Sequence, residues 1–144
     1  MLSWNEQYSV HVPRLDRQHR RILKILGELH ALGHSASPQR RLDRIFRQLH
    51  RHIEEHFRDE EALLLAAGYS GLEEQKAEHR AFIDIVCSHH REFLKNRPVV
   101  AINLFNYLWD WFVNHVLSVD KKYEPVLARR PGGNLPGRAA PPAE

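Results

Sequence analysis

The stretch His56-Phe57-Arg58-Asp59-Glu60-Glu61 decides how the chain is read, because it sets a histidine and a carboxylate four residues apart inside a helical apolar pattern. Residues i and i+4 lie one above the other on a helix, so His56 and Glu60 can face a single centre about one turn tall. Around them Leu42, Ile45, Phe46, Leu49, Ile53, Leu63 and Leu64 recur at helical spacing as one stripe. That stripe faces a core. A buried, unpaired carboxylate costs several kcal/mol, so an inward Glu60 asks for a cation, and other segments should supply further ligands.

The helix that carries the stretch is expected to start near Ser37-Pro38, a good N-cap followed by a good first residue, and to end near Ala67 at Gly68. Upstream, Leu15, Ile22, Leu23, Leu26, Leu29 and Leu32 predict a helix between Pro13 and Gly33, with His19 on its apolar stripe. Residues 1–14 lack helical periodicity but carry Trp4, Tyr8, Val10 and Val12, and read as an extended arm laid on the body. After the turn at Gly68-Tyr69-Ser70-Gly71, a third stripe runs through Leu72, Gln75, His79, Phe82, Ile83, Val86, His90 and Phe93 to Asn96-Arg97-Pro98. A fourth runs from about Val99 to Leu127 through Ile102, Phe105, Leu108, Trp109, Phe112, Val116, Val119 and Tyr123, with Pro125 bending or ending it. Helices of this length with short loops predict an all-α fold, an up-down-up-down antiparallel four-helix bundle with an extended N-terminal arm. Residues 1–128 form that bundle in this reading. Residues 129–144, rich in Pro, Gly and Ala, are expected to be a disordered tail or linker, offering a connection to an output domain or protein partner.

Composition narrows the function. The 144 residues suffice for one core. The single Cys87 excludes an internal disulfide framework and a cysteine-based metal motif, and it reads as a small buried residue of a reducing compartment. There is no basic segment followed by an apolar run at the N-terminus and no apolar stretch long enough for a membrane, so the chain is expected to be cytoplasmic. The net charge of +3 is modest and the arginines lack a reading motif, which argues against nucleic acid. Eleven histidines stand out.

Each helix places ionisable groups on or near its inward face: His19, then His56 with Glu60, then His79, then His115 with Asp120. One buried histidine is ordinarily a hydrogen-bonded core residue. Six such groups would need a polar network satisfied at every member, whereas two divalent cations bridged by Glu60 and Asp120 meet all of them. Mixed imidazole and carboxylate without thiolate suits iron, manganese or zinc, and iron is preferred. His115 and Asp120 are five residues apart, about 140° around an ideal helix. Either the helix is locally distorted there or the two side chains reach the site from its flanks.

In this combination the chain resembles the hemerythrin family, in its bacterial form, over roughly residues 2–127. The resemblance rests on Trp4 and Tyr8; on Leu15-Asp16-Arg17-Gln18-His19, similar to the family's I-D-x-Q-H; on His56-Phe57 with Glu60-Glu61; on His79 with Phe82; and on Trp111, His115, Asp120, Lys121 and Tyr123. It implies a non-haem, carboxylate-bridged centre of two iron ions. His19 and His56 would hold the iron that takes O2, His79 and His115 the other, and Glu60 and Asp120 would bridge. Ile22, Phe57, Trp111 and Phe112 correspond to the apolar lining of the O2 pocket. Tyr123 is read as a partner hydrogen-bonded to a carboxylate ligand.

One position departs from the pattern: Gln75 stands where the third helix of the family carries the first histidine of H-x-x-x-H. It would be a weak amide ligand or hold a water, and faster autoxidation is the expectation. The function implied is O2 binding for sensing, storage or delivery; the alternative is a di-iron redox enzyme acting on peroxide or nitric oxide, while a ferritin-like oxidase lacks its Glu-x-x-His pairs. Glu61 is expected to point away from the site into a salt bridge. His52 and His90 read as ordinary core or surface residues, and His11, His30, His34, His50 and His89 as exposed.

Overall fold

The computed structural model describes residues 3–33, 39–95 and 101–127. Four long helical segments form the body: α1 (Pro13–Leu32), α2 (Gln39–Ala66), α3 (Leu72–Leu94) and α4 (Ala101–Asn114). α4 runs on into a π-helical turn (His115–Val119), a 3-10 turn (Asp120–Lys122) and the short α5 (Glu124–Leu127). The described residues contain no strand. The predicted start signal Ser37-Pro38, the stop Asn96-Arg97-Pro98, Val99 and the tail lie outside the described residues.

The direction of each helix follows from what it buries. α1 passes from Leu15 in one apolar cluster, through His19, to Ile22 and Leu26 in a second; α2 returns from Phe57 through Glu60 to Leu63 and Leu64. α3 goes out again, with Leu72 packed on the first cluster, Gln75 and His79 beyond it, and Phe82 and Val86 in the second. The fourth segment comes back through Phe112, Val116 and Asp120 to Tyr123. This is the up-down-up-down antiparallel bundle, and it sandwiches a polar belt between two apolar clusters. Each leucine so buried contributes about 1.5–3 kcal/mol, which holds the belt away from water.

The ends obey local chemistry. Pro13 opens α1, and Gly33 closes it with its N–H on the Leu29 and His30 carbonyls. Gly68 takes φ of 66° and lets the Tyr69 N–H reach back to the Leu64 carbonyl (3.0 Å), closing α2. The N-terminal arm is only partly extended, because Glu6–Tyr8 form a 3-10 turn whose Gln7 N–H donates to the Asn5 side chain. Asp16 in the first turn of α1 fastens the arm, accepting from Ser9 Oγ (2.6 Å) and the Val10 N–H (2.9 Å).

The fourth helix differs from a single helix reaching Leu127. In the π-helical turn the Asp120 N–H donates to the His115 carbonyl, five residues back. An i→i+5 turn stacks residues five apart, so local distortion, the first of the two alternatives, brings His115 and Asp120 to one face.

Candidate metal centre

The polar belt holds every ionisable group expected to point inward. His19, His56, Glu60, His79, His115 and Asp120 are each at most 4% exposed. His19, His56, Glu60 and Asp120 each place one possible ligand atom within 4.8 Å of all the others, and Glu60, His79 and His115 form a second such group. Glu60 belongs to both. Its Oε1 lies 2.9 Å from His79 Nε2 and its Oε2 3.3 Å from His56 Nε2. Asp120 spans the other pair, Oδ1 at 2.9 Å from His115 Nε2 and Oδ2 at 3.3 Å from His19 Nε2.

These close approaches are not hydrogen bonds. His19 Nε2, His79 Nε2, His115 Nε2, Glu60 Oε1 and Asp120 Oδ2 are all buried without a hydrogen-bond partner. Buried polar atoms in folded proteins are almost always satisfied, so this many orphaned lone pairs converging in one place marks a site for cations. Four imidazoles and two carboxylates, without a thiolate, suit a borderline transition metal.

Neighbouring side chains settle which nitrogen of two rings is free. His56 Nδ1 donates to Gln18 Oε1 (2.8 Å), and Gln18 is held in that orientation because its Nε2 donates to Asp59 Oδ2 (2.8 Å). Arg14 Nε donates to the same Asp59 oxygen (3.1 Å). His79 Nδ1 donates to Glu61 Oε2 (2.8 Å). With the proton fixed on Nδ1, Nε2 of both rings presents a lone pair to the centre. Glu61 therefore does not point away from the site as expected from its neighbourhood with Glu60; it orients a candidate ligand. Tyr123, fully buried, donates to Glu60 Oε2 (2.7 Å), the hydrogen bond to a carboxylate that was expected of it.

The electrostatics match a crowd of opposite charges. Burial pushes the Glu60 carboxyl up, but His56 and His79 outweigh it and hold the group well below the ordinary range. Burial and the Glu60 charge raise Asp120, and His115 and His19 together pull it below its usual value. Burial lowers His19 and His79, yet Asp120 and Glu60 for the first, and Glu60 and Glu61 for the second, leave both raised. His56 stays lowered, burial being the largest influence. The two buried carboxylates thus favour positive charge at the centre, which bound cations would supply.

Gln75 is buried in the belt and its Nε2 donates to Asp120 Oδ1 (3.0 Å), while its Oε1 has no partner. Beside the centre lies a cavity of about 10 Å³ whose walls include Ile22, Phe57, Trp111 and Phe112 together with His19, His56 and His115. Phe57 stacks on His79 at 3.8 Å and Trp111 on His115 at 4.3 Å, so the lining also pins two of the rings.

Several residues behave differently from their sequence reading. Asp59 and Arg14 support the site without having stood out in the sequence, and Gln18, quoted only as part of the resemblance, turns out to orient His56; the signal was the i, i+4 pair Arg14 and Gln18 facing a buried Asp59. His30, His50 and His89 are half-buried rather than exposed, and Cys87 is partly rather than fully buried. His89 Nδ1 is bonded to the Ile85 carbonyl, while His11 is exposed and pairs with Glu124. His34 lies outside the described residues.

Comparison with known proteins agrees with this geometry. Residues 10–127 match the family described as the Hemerythrin HHE cation binding domain. The chain is 26% identical over 132 residues to the bacteriohemerythrin of Methylococcus capsulatus, covering 89% of this chain and 98% of that protein. It is 30% identical over 126 residues to the myohemerythrin of Theromyzon tessulatum, covering 86% of this chain and 92% of that protein. A wild-type hemerythrin crystal structure superposes with a TM-score of 0.83 at 25% identity, over 89% of this chain and 98% of that one. With its bundle, its buried histidine–carboxylate belt and this match over most of its length, the chain belongs to the hemerythrin family.

Proposed function

We propose that this chain is a non-haem di-iron protein that binds dioxygen for sensing, storage or delivery. The observation that carries the reading is the pair of donor groups sharing Glu60, with unpartnered lone pairs converging between them. In this assignment His19 and His56 would hold the iron that takes O2, His79 and His115 would hold the other, and Glu60 and Asp120 would serve both. Iron, when bound, supplies the redox-active position for O2. The protein's part is structural: Gln18 and Glu61 aim His56 and His79, Tyr123 holds Glu60, and the apolar walls at Ile22, Phe57, Trp111 and Phe112 keep out water. At about 10 Å³ the cavity reaches the size at which a single water-sized molecule is held.

Gln75 acts in this reading through Asp120, holding a bridging carboxylate by its amide N–H. The His79 and His115 group would then offer a metal two imidazoles instead of three, and the reduced protein would be expected to oxidise faster than with a histidine at position 75. Gln75→Asn, too short for the Asp120 contact, and Gln75→His separate the roles: His should slow autoxidation, and an unchanged rate refutes this part. The bundle is assigned to residues 1–128 and the remainder to a tail that joins a partner, in keeping with a family match that ends at residue 127. The lone Cys87 supports a reducing, cytoplasmic setting; no helix among the described residues is long and apolar enough to cross a membrane.

Metal analysis with the optical spectrum of the reduced protein, before and after air, tests the whole reading. About two irons per chain with a reversible visible band would support it. Two irons converting at once to a stable oxidised spectrum would favour a redox enzyme acting on peroxide or nitric oxide. One metal or none would refute the di-iron centre.

A further inference from the structure

A second pair of histidines meets away from the central belt. His50 on α2 and His90 on α3 approach with Nε2 and Nδ1 3.0 Å apart. His50 lies six residues from His56, about 9 Å along the helix axis. We propose that His50 and His90 form a separate, open chelate for a borderline divalent transition-metal ion such as Cu²⁺ or Zn²⁺.

Metal–imidazole bonds of about 2.0–2.1 Å at square-planar or tetrahedral angles set the two nitrogens about 2.9–3.4 Å apart, and the observed 3.0 Å falls inside that bite. The rings are held in place. Phe46 stacks flat on His90 (4.6 Å, 11° between planes), and Phe93 flanks it at 5.6 Å from Phe46 and 6.4 Å from His90. His50 rises from α2 one turn beyond Phe46, so both helices contribute rigid positions rather than loop positions. Two neutral imidazoles share one proton across the 3.0 Å gap. The donor ring can move that proton to its other nitrogen through solvent, leaving two lone pairs for the cation without net proton release. Among the described residues no third His, Cys, Asp or Glu joins the pair at ligand distance, so water completes the coordination. Imidazole and water without thiolate or a second anion favour Cu²⁺ over Zn²⁺ and both over Mg²⁺ or Ca²⁺.

The test titrates Cu²⁺ into the iron-loaded full chain, following binding by calorimetry, nitrogen couplings by electron paramagnetic resonance, and retained iron by its own spectrum. One additional Cu²⁺ with two nitrogen ligands is expected. Loss of a direct ligand in His50→Ala or His90→Ala should weaken it by more than the roughly 10- to 100-fold typical of outer-shell changes, while His89→Ala leaves it unchanged. The size-conserving His50→Gln and His90→Gln guard against misfolding, checked by circular dichroism. No uptake beyond iron, uptake only with loss of iron, or equal affinity in all variants would overturn the proposal.

Discussion

Replacing Asp59 by alanine should loosen one half of the metal centre from a distance. Asp59 Oδ2, on a side chain 2% exposed, accepts from Arg14 Nε at 3.1 Å and Gln18 Nε2 at 2.8 Å. Removing one member of a buried charged pair costs about 3–5 kcal/mol. Arg14, 18% exposed, can turn partly to water, which favours the lower end. At about 3–5 °C per kcal/mol for a chain of this size, the metal-free protein should melt roughly 10–15 °C lower. Asp59→Asn keeps the shape and an acceptor oxygen, and should cost about 1–2 kcal/mol. The second effect passes through Gln18. Freed from Asp59, its amide can rotate and release His56 Nδ1, so the position served by His56 should lose about 10- to 100-fold in metal affinity. The position served by His79, oriented by Glu61, should keep its affinity. Thermal unfolding of the metal-free chain and stepwise metal titration measure the two effects separately. A melting shift under about 3 °C in Asp59→Ala, at the scale used above, or equal weakening of both positions, would refute the relay.

Other outcomes follow from the same contacts. Glu61→Gln should weaken the His79 position and spare the His56 position, the mirror of Asp59→Ala, read in the same titration. Tyr123→Phe removes a buried hydrogen bond to a carboxylate and should lower stability by about 1.5–3 kcal/mol, measured by urea unfolding. Burial, with Asp120 and Glu60 nearby, pushes the Tyr123 phenol well above the usual 10. Its stabilising effect is therefore complete below about pH 10 and is lost as pH rises further, because only the unfolded chain ionises it there; phenolate absorbance in the metal-free protein should show Tyr123 titrating only on unfolding. Deleting Leu117 would leave Asp120 four residues after His115, the spacing an ordinary α-helical turn already stacks, so metal uptake should be largely retained with helix content preserved, read by metal titration and circular dichroism. At Gly68, with φ of 66° and nothing within 4 Å of an added Cβ, alanine should cost only the backbone strain, about 1 kcal/mol, in thermal melts.

The bundle was legible because helical periodicity and burial express the same physics. Leu15, Ile22 and Leu26, or Phe46, Leu49 and Ile53, repeat at helical spacing because that spacing lines one face, and all are buried. The candidate ligands were legible for a related reason. An ionisable group on an apolar stripe contradicts its surroundings, and His19, Glu60, His79 and Asp120 all do so. What stayed hidden lies off the stripes. Asp59 and Glu61 flank Glu60 in an ordinary charged run, and nothing local says that one meets Arg14 and Gln18 while the other meets His79. His50 and His90, forty residues apart, carry no joint signal.

Sequence by itself therefore determined the helices, their inward faces, and the set of imidazoles and carboxylates brought together, since those depend on spacing along one chain segment. Tertiary structure alone decided how the groups are shared and aimed. It chose the widened turn that brings His115 and Asp120 to one face, gave Gln75 to Asp120, and fixed the ring protons of His56 and His79. The aiming of His56, Gln75 and His79 turns on distances of about 3 Å between separate helical segments, and hydrogen-bond energy falls away within fractions of an ångström, so only the packed bundle can set it.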